Sequence, residues 1–173
     1  MKRYVLVCIV ALGCIAAAQD TGKTATKQAT VKHAKSAAAA PKNAFMPNDI
    51  PYGPSPAFLP PGAMLAVLEG NPMGTTGDYT IRLKMPDSYK VAPHWHPKRE
   101  NVTVISGPLK VGMGDKFDES KMMSFPAGSF AYLDPSMHHY ASAIGETVIQ
   151  IHGKAPVQIN YVNPDDDPSK GKK

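Results

Sequence analysis

The sequence predicts an all-β fold, a small antiparallel barrel or sandwich, for the part of the chain that follows residue 44. From Met64 onward, apolar residues recur in short runs bounded by Gly, Pro, Asp or Asn. The clearest run is Tyr79–Met85, in which apolar and polar side chains alternate as they do in a half-buried strand. The 173 residues include 17 prolines and 14 glycines, a composition that disfavours long helices. Apart from Ser120–Met123, no segment has the apolar spacing of a helix.

The other predicted strands are equally short. They are Met64–Leu68, Val102–Ile105, Leu109–Met113, Ser129–Leu133, Thr147–His152 and Val157–Val162. Ser106-Gly107-Pro108 is a turn signal between two of these runs. Short strands with turns at such spacing are typical of two packed antiparallel sheets or of a barrel.

Residues 1–18 have the three parts of a signal peptide. Lys2 and Arg3 supply a charged start, and the apolar run Val5–Ala18 ends in three alanines. The run is too short to cross a hydrocarbon core of roughly 30 Å as a helix. We therefore predict cleavage after Ala18, a periplasmic or secreted protein and no stable membrane insertion. The alternative is a lipoprotein, because the segment 11–14 (Ala-Leu-Gly-Cys) resembles a lipobox and would anchor the chain through Cys14.

The remaining boundaries follow from composition. Residues 19–43 are rich in Ala, Lys and Thr without apolar periodicity, and we predict a disordered linker there. Residues 44–62 hold six prolines and are predicted to form an extended arm against the barrel, which spans 44–163. Residues 164–173 are predicted to be a flexible tail.

The net charge of +5 does not indicate a nucleic-acid-binding protein. Residues 1–43 carry seven basic residues and one acidic residue, whereas residues 44–173 carry twelve basic and thirteen acidic residues. The predicted barrel is therefore nearly neutral and offers no basic footprint for nucleic acid. The two cysteines, Cys8 and Cys14, both precede the barrel, so metal chemistry there must use histidine and carboxylate ligands.

The segment 93–100 (Pro-His-Trp-His-Pro-Lys-Arg-Glu) concentrates metal-binding side chains. In a strand, His94 and His96 point to the same side, and Glu100 shares their parity. Two imidazoles and a carboxylate suit a divalent metal ion such as Fe, Mn, Zn, Ni or Cu without selecting among them. The alternative interpretation is a pair of exposed strand histidines.

The spacing of these residues resembles the first cupin motif. His94, His96, Glu100 and Gly107 match it from its first histidine to its closing glycine. The second cupin motif runs Gly-x5-Pro-x-Gly-x2-His-x3-Asn, and starting from Gly128 its histidine falls on His139. The chain departs from the two motifs at Ser88, Asp134, Ser136 and Ala143, which replace Gly, Pro, Gly and Asn respectively.

The resemblance implies a small antiparallel double-stranded β-helix, or jelly-roll barrel, with one divalent metal ion held by His94, His96, Glu100 and His139. Cupins with this ligand set include dioxygenases, oxalate-degrading enzymes and isomerases, and among these we expect an oxygen-dependent, dioxygenase-like oxidoreductase acting on a small molecule. The alternatives are a non-catalytic module that binds or senses a metal or small ligand, and a barrel with a purely structural site. Cupins often pair through edge strands, which are a liability when exposed, so we expect a homodimer.

Two further histidines leave alternatives open. His138 competes with His139, but neighbouring strand residues point to opposite faces, so only one of them reaches the metal. The motif spacing favours His139. His152 is either an acid–base group lining the cavity or a structural histidine.

Overall fold

A computed structural model describes residues 43–171, and every structural statement below concerns this part of the chain. The predicted signal peptide, and all of the predicted linker except Asn43, lie outside the described residues. The strands β1 to β11 are, in order, Gly53–Pro54, Met64–Gly70, Asp78–Met85, Lys90–Trp95, Glu100–Ser106, Leu109–Met113, Met123–Phe125, Phe130–Leu133, His139–Ala143, Thr147–Lys154 and Asn160–Tyr161.

The strands form two antiparallel sheets, which confirms the predicted all-β jelly-roll fold. The six-stranded sheet has the order β1-β2-β3-β10-β5-β8, and the five-stranded sheet has the order β11-β4-β9-β6-β7. The helices between residues 43 and 171 are short 3-10 turns: Pro47–Asp49, Glu119–Lys121, Pro164–Asp166 and Pro168–Lys170. None of the helices in this range is long and apolar enough to cross a membrane.

The core lies between the two sheets and follows the alternation that the sequence shows. On β3, every second residue is buried, and on β10 Ile149 and Ile151 are buried in register with it. Strand β9 was not predicted, because its sequence, His-Tyr-Ala-Ser-Ala, does not alternate between apolar and polar residues. Four of its five residues are buried, so both faces of the strand carry buried side chains. Strands β1 and β7 were also not predicted, since they have two and three residues, and β4 was not among the predicted apolar runs.

The two serines that replace motif glycines adopt the backbone conformation that favours glycine. Ser88 has a φ of 60° and Ser136 a φ of 65°. Both values lie in the left-handed region, which L-residues with a side chain rarely adopt. The backbone at these two turns therefore keeps the conformation expected for glycine, even though serine occupies both positions.

The proline-rich arm runs along the barrel. Strand β1 pairs with β2, and Leu59 packs against the core. Tyr89 donates a hydrogen bond from its hydroxyl to the carbonyl of Pro60 at 2.6 Å, and Tyr161 donates one to the carbonyl of Phe58 at 2.8 Å. These two phenols hold the arm in place. The 3-10 turns at Pro164–Asp166 and Pro168–Lys170 occupy most of the segment predicted as a flexible tail.

Candidate metal centre

An irregularity in strand β4 directs two histidines into the barrel. Along the β4–β9 pair, Val91 faces Ala141 and His94 faces His139, so three steps along β4 correspond to two along β9. An extra residue of this kind reverses the alternation and re-aims the side chains that follow it. As a result Val91, His94 and His96 all line the same interior cavity.

The three histidines lie close together. His94, His96 and His139 each offer a ring nitrogen, and these nitrogens lie within 4.8 Å of one another. The ring centroids of His94 and His139 are 4.1 Å apart. All three residues come from the five-stranded sheet or the residue just beyond β4. Three neutral imidazoles at this separation are suited to bind one metal ion.

Glu100 reaches the cluster from the opposite sheet. It is the first residue of β5, where it pairs with Leu133 of β8. Its Oε2 lies 3.4 Å from Nε2 of His96 and 3.8 Å from Nε2 of His139. The structure therefore brings together all four residues that the two motifs predict, although His139 lies far from the other three in the sequence.

Each of the three imidazoles donates a hydrogen bond from Nδ1 to a backbone carbonyl. The pairs are His94 with Ala92 at 2.7 Å, His96 with Gln158 at 2.7 Å, and His139 with Met137 at 3.0 Å. A carbonyl can only accept, so Nδ1 carries the proton and the lone pair of a neutral ring is on Nε2. Metal-binding histidines are commonly oriented by such a contact.

One nitrogen of the cluster lacks a partner. Nε2 of His96 is buried and makes no hydrogen bond within the described part of the protein. A buried polar atom without a partner costs free energy, so its presence calls for a ligand. A metal ion at the centre of the cluster would satisfy this nitrogen. The residues present therefore fit a divalent metal.

Burial holds His94 and His139 in the neutral form that a metal requires. The pKa of His94 is lowered to about 3, first by burial and then by the neighbouring imidazoles of His139 and His96. Burial likewise lowers the pKa of His139, and this effect outweighs the negative charge of Glu100. Because metal ions compete with protons for imidazole nitrogens, a low pKa favours metal binding near neutral pH.

At Glu100 and His96, in contrast, the effect of neighbouring groups on the pKa is larger than the effect of burial. Burial alone would raise the pKa of Glu100, but the nearby imidazoles of His96, His139 and His94, when protonated, together outweigh burial and lower the pKa to about 2. Burial alone would lower the pKa of His96, but the nearby carboxylate of Glu100 and the carbonyl of Gln158 together outweigh burial and raise the pKa. The carboxylate is therefore ionised at neutral pH and available as an anionic ligand.

The cluster lies on the wall of a cavity of about 280 Å³ between the two sheets. The wall is mainly aliphatic and aromatic. Its polar side chains are His94, His96, Glu100, Ser129 and His139. Ser129 could not be identified from the sequence, because a single serine in an apolar strand carries no distinctive signal. The carbonyl of Gln158 could not be identified either, since a backbone acceptor has no sequence signature.

The other two histidines of the barrel face outward. His138 lies beside His139 but points away from the cluster, with Nδ1 2.5 Å from Oδ1 of Asp115 and its ring stacked on Trp95. His152 is exposed, because it alternates with the inward-facing Ile149 and Ile151 along β10. The structure therefore places His152 outside the cavity, where it cannot serve as an acid–base group at the metal site.

The fold is shared with solved cupin structures. A polyketide cyclase, RemF, from Streptomyces resistomycificus matches with a TM-score of 0.55 at 12% identity, over 73% of this chain and 89% of that chain. A cupin 2 domain-containing protein from Halorhodospira halophila matches with a TM-score of 0.50 at 18% identity, over 65% of this chain and 82% of that chain. No protein-family model and no curated protein matches the sequence. The chain thus has the fold of the cupin superfamily, with three histidines close enough together to bind a metal ion.

Proposed function

We propose that this protein binds one divalent metal ion through His94, His96, Glu100 and His139. The observation that carries the proposal is the orientation of the imidazoles. Each is tied through Nδ1 to a carbonyl, which leaves Nε2 free, and the buried Nε2 of His96 has no partner among the described residues. Fe, Mn, Zn, Ni and Cu all accept this set of donors.

The chemistry of the site follows from what else the cavity offers. A bound divalent metal would supply Lewis-acid or redox chemistry at the end of an apolar cavity. Apart from the four proposed ligands, Ser129 is the one polar side chain on the described wall, and a serine alone is a poor acid or base. We therefore propose chemistry at the metal itself, an oxygen-dependent, dioxygenase-like oxidation of a small molecule.

The same observation supports a second candidate. A metal-containing cavity without an acid–base residue also suits a non-catalytic module that binds or senses a metal or a small ligand. The two functions differ in one measurable respect, since only the oxidoreductase consumes oxygen in proportion to product. The relative RemF is named a polyketide cyclase, so enolisable polyketides belong in the substrate panel beside catechols and thiols.

A pair of double variants tests the proposed metal site. In the first variant, His94→Ala and His96→Ala remove two proposed ligands. In the matched control, His138→Ala and His152→Ala remove two outward-facing histidines. We expect the first variant to lose its metal by elemental analysis and any oxygen uptake by electrode, and the control to retain both. Equal metal content in the two variants would contradict the proposal that His94 and His96 bind the metal.

We also propose that the protein is exported. The support is the charged start and the apolar run of residues 1–18. Mass spectrometry of protein from the periplasm or medium should show a chain that begins at Gln19. A lipid-modified Cys14 would instead establish the lipoprotein alternative, and uncleaved protein in the cytoplasm would contradict export.

A homodimer is a further proposal. Strand β8 is at the edge of the six-stranded sheet, and its Phe130 and Tyr132 are both exposed. An unpaired strand edge with exposed aromatic side chains favours association with a second copy. Sedimentation equilibrium should give a dimer for the natural chain and a monomer for Phe130→Lys. A monomeric natural chain would contradict the proposal.

A further inference from the structure

The cavity beyond the histidine cluster carries no positive charge. Among residues 43–171, no lysine or arginine lines it. Ser129 is the other polar side chain on the wall, and it lies beside Val104, four residues along β5 from Glu100. At the rise of a strand, this corresponds to roughly 13 Å. The polar groups are thus concentrated near one end, and the rest of the wall is apolar.

The cations closest in sequence to the cluster are directed elsewhere. Lys98 and Arg99 follow His96 almost immediately. The ammonium group of Lys98 donates a hydrogen bond to the carbonyl of Ala155, and Arg99 forms an ion pair with Asp134 at 2.5 Å. Neither lines the cavity. A ligand bound there cannot use either residue to neutralise a second negative charge.

Charge balance then restricts the ligand. The proposed site combines a divalent cation, three neutral imidazoles and one carboxylate, which leaves one positive charge. An unbalanced charge in an apolar cavity is costly, so a single negative charge on the ligand is favoured at the metal. A second negative charge, or several hydroxyl groups, would have to face aliphatic walls without partners.

We propose that the cavity binds a small monoanion with one oxygen-based head group and an apolar body, such as an arenecarboxylate. This inference rests on the proposed metal site and specifies its ligand class. The volume of about 280 Å³ is just below the range of roughly 300–1,000 Å³ typical of ligand pockets, so the ligand is small. Dicarboxylates and sugar acids are excluded by the same walls.

The cavity opens where its lining residues are exposed. Val67 on β2 is 40% exposed and Met73 in the following loop is 61% exposed, and both line the cavity. Val67 is therefore a position at which a charge can be introduced at the opening while the four proposed ligands are left intact. Ile105 on β5 has the same exposure, 40%, and does not line the cavity, which makes it a matched control.

Calorimetry on the zinc-loaded full-length protein provides the first test, after elemental analysis has confirmed that zinc is bound. The probes are benzoate, terephthalate, which adds a second carboxylate at the far end of the ring, and galacturonate, a hydroxylated monoanion. We expect benzoate to bind at least tenfold more tightly than either. We also expect metal-free protein to bind benzoate at least tenfold more weakly than zinc-loaded protein.

The two variants provide the second test. Val67→Lys should reduce the preference for benzoate over terephthalate several-fold, because the new ammonium group partners the second carboxylate. Ile105→Lys should leave the preference unchanged, and circular dichroism would verify that both variants are folded. An equal effect of the two substitutions would contradict the assignment of the cavity.

The outcomes separate this inference from the proposed function. Zinc-loaded protein that binds terephthalate or galacturonate as tightly as benzoate would overturn the ligand class and leave the metal site intact. Equal binding of benzoate with and without zinc would also overturn it, since the head group would then lie away from the metal. Protein that binds no metal at all would remove both the site and the inference.

Discussion

The two inner faces of the barrel differ in what they contribute to the cavity. The five-stranded sheet and the residue after β4 supply all three imidazoles, whereas the six-stranded sheet supplies aliphatic side chains and one ionisable residue on the wall, Glu100. Both sheets contribute apolar side chains to the wall, but the imidazole donors come from one sheet and the carboxylate from the other. Substitutions on the two faces should therefore change different measured properties.

The largest effect is expected at the histidine-bearing face. His139→Ala removes a proposed ligand and should weaken zinc affinity by more than about 100-fold, since disturbing only the partner of a ligand already costs 10- to 100-fold. His138→Ala is the matched control, because the side chain of this neighbouring residue points away from the cluster. Competition with a chelating dye would measure both affinities. A larger loss for His138→Ala would contradict the assignment.

Glu100→Gln tests the one charged contribution of the opposite sheet. The amide keeps the shape and one oxygen donor but loses the negative charge, so we expect zinc affinity to fall by about 10- to 100-fold. Without the carboxylate, the metal-loaded site carries two net positive charges instead of one. The metal-loaded variant should therefore bind the benzoate anion more tightly. Competition with the chelating dye would measure the zinc affinity, and calorimetry on the zinc-loaded variant would measure the binding of benzoate. Unchanged zinc affinity would show that Glu100 is not a ligand.

The apolar part of the six-stranded sheet should affect stability rather than metal binding. Ile151 on β10 is buried, and Ile151→Ala should lower the free energy of unfolding by about 2 kcal/mol. We expect the low end of the usual range because the side chain already faces open space. Urea unfolding would measure the change, with zinc content retained. Ile105→Ala, at an exposed position on β5, should cost less than about 0.5 kcal/mol.

The smallest effect concerns the pH dependence of metal-free protein. His94 has a folded-state pKa of about 3, so between pH 6.5 and 3 the unfolded state binds more protons at this residue. The contribution of His94 to the free energy of unfolding should therefore decrease as pH falls, by about 1 kcal/mol between pH 6.5 and 5.5. The lowered pKa of His139 acts in the same direction, as does that of Glu100 at lower pH, whereas the raised pKa of His96 opposes it.

His94→Gln isolates this contribution. Urea midpoints at pH 6.5 and 5.5 should differ less for His94→Gln than for the natural sequence. If both proteins had the same pH dependence, His94 would not be held neutral by burial. Excess chelator must be present throughout, because residual metal would stabilise the natural sequence and mimic the effect.

Seven of the eleven strands could be predicted from short apolar runs bounded by turn residues. Strand β6 has the predicted bounds Leu109–Met113, and the predicted face of Tyr79–Met85 is buried. The resemblance to the cupin motifs predicted His139 and Glu100, which alternation alone could not place beside His94. Local patterns specify which side of a strand is buried, whereas motif spacing predicts which residues distant in sequence lie close together.

Other parts of the site could not be predicted because they depend on tertiary structure. The irregularity between Val91 and His94 has no distinctive sequence, yet it sets the direction of two ligands. The acceptor for His96 is a carbonyl 62 residues away, at Gln158. His152 shows the converse, since its position in an alternating strand was clear but the side of the sheet that faces the cavity was not.

The central claim is that three imidazoles and a carboxylate hold one divalent metal ion, and metal analysis of the purified protein tests it most directly. Protein purified without added metal or chelator should contain close to one divalent ion per chain, and the His94→Ala, His96→Ala double variant should contain almost none. A folded natural chain that is metal-free and fails to take up Fe, Mn, Zn, Ni or Cu would contradict the claim.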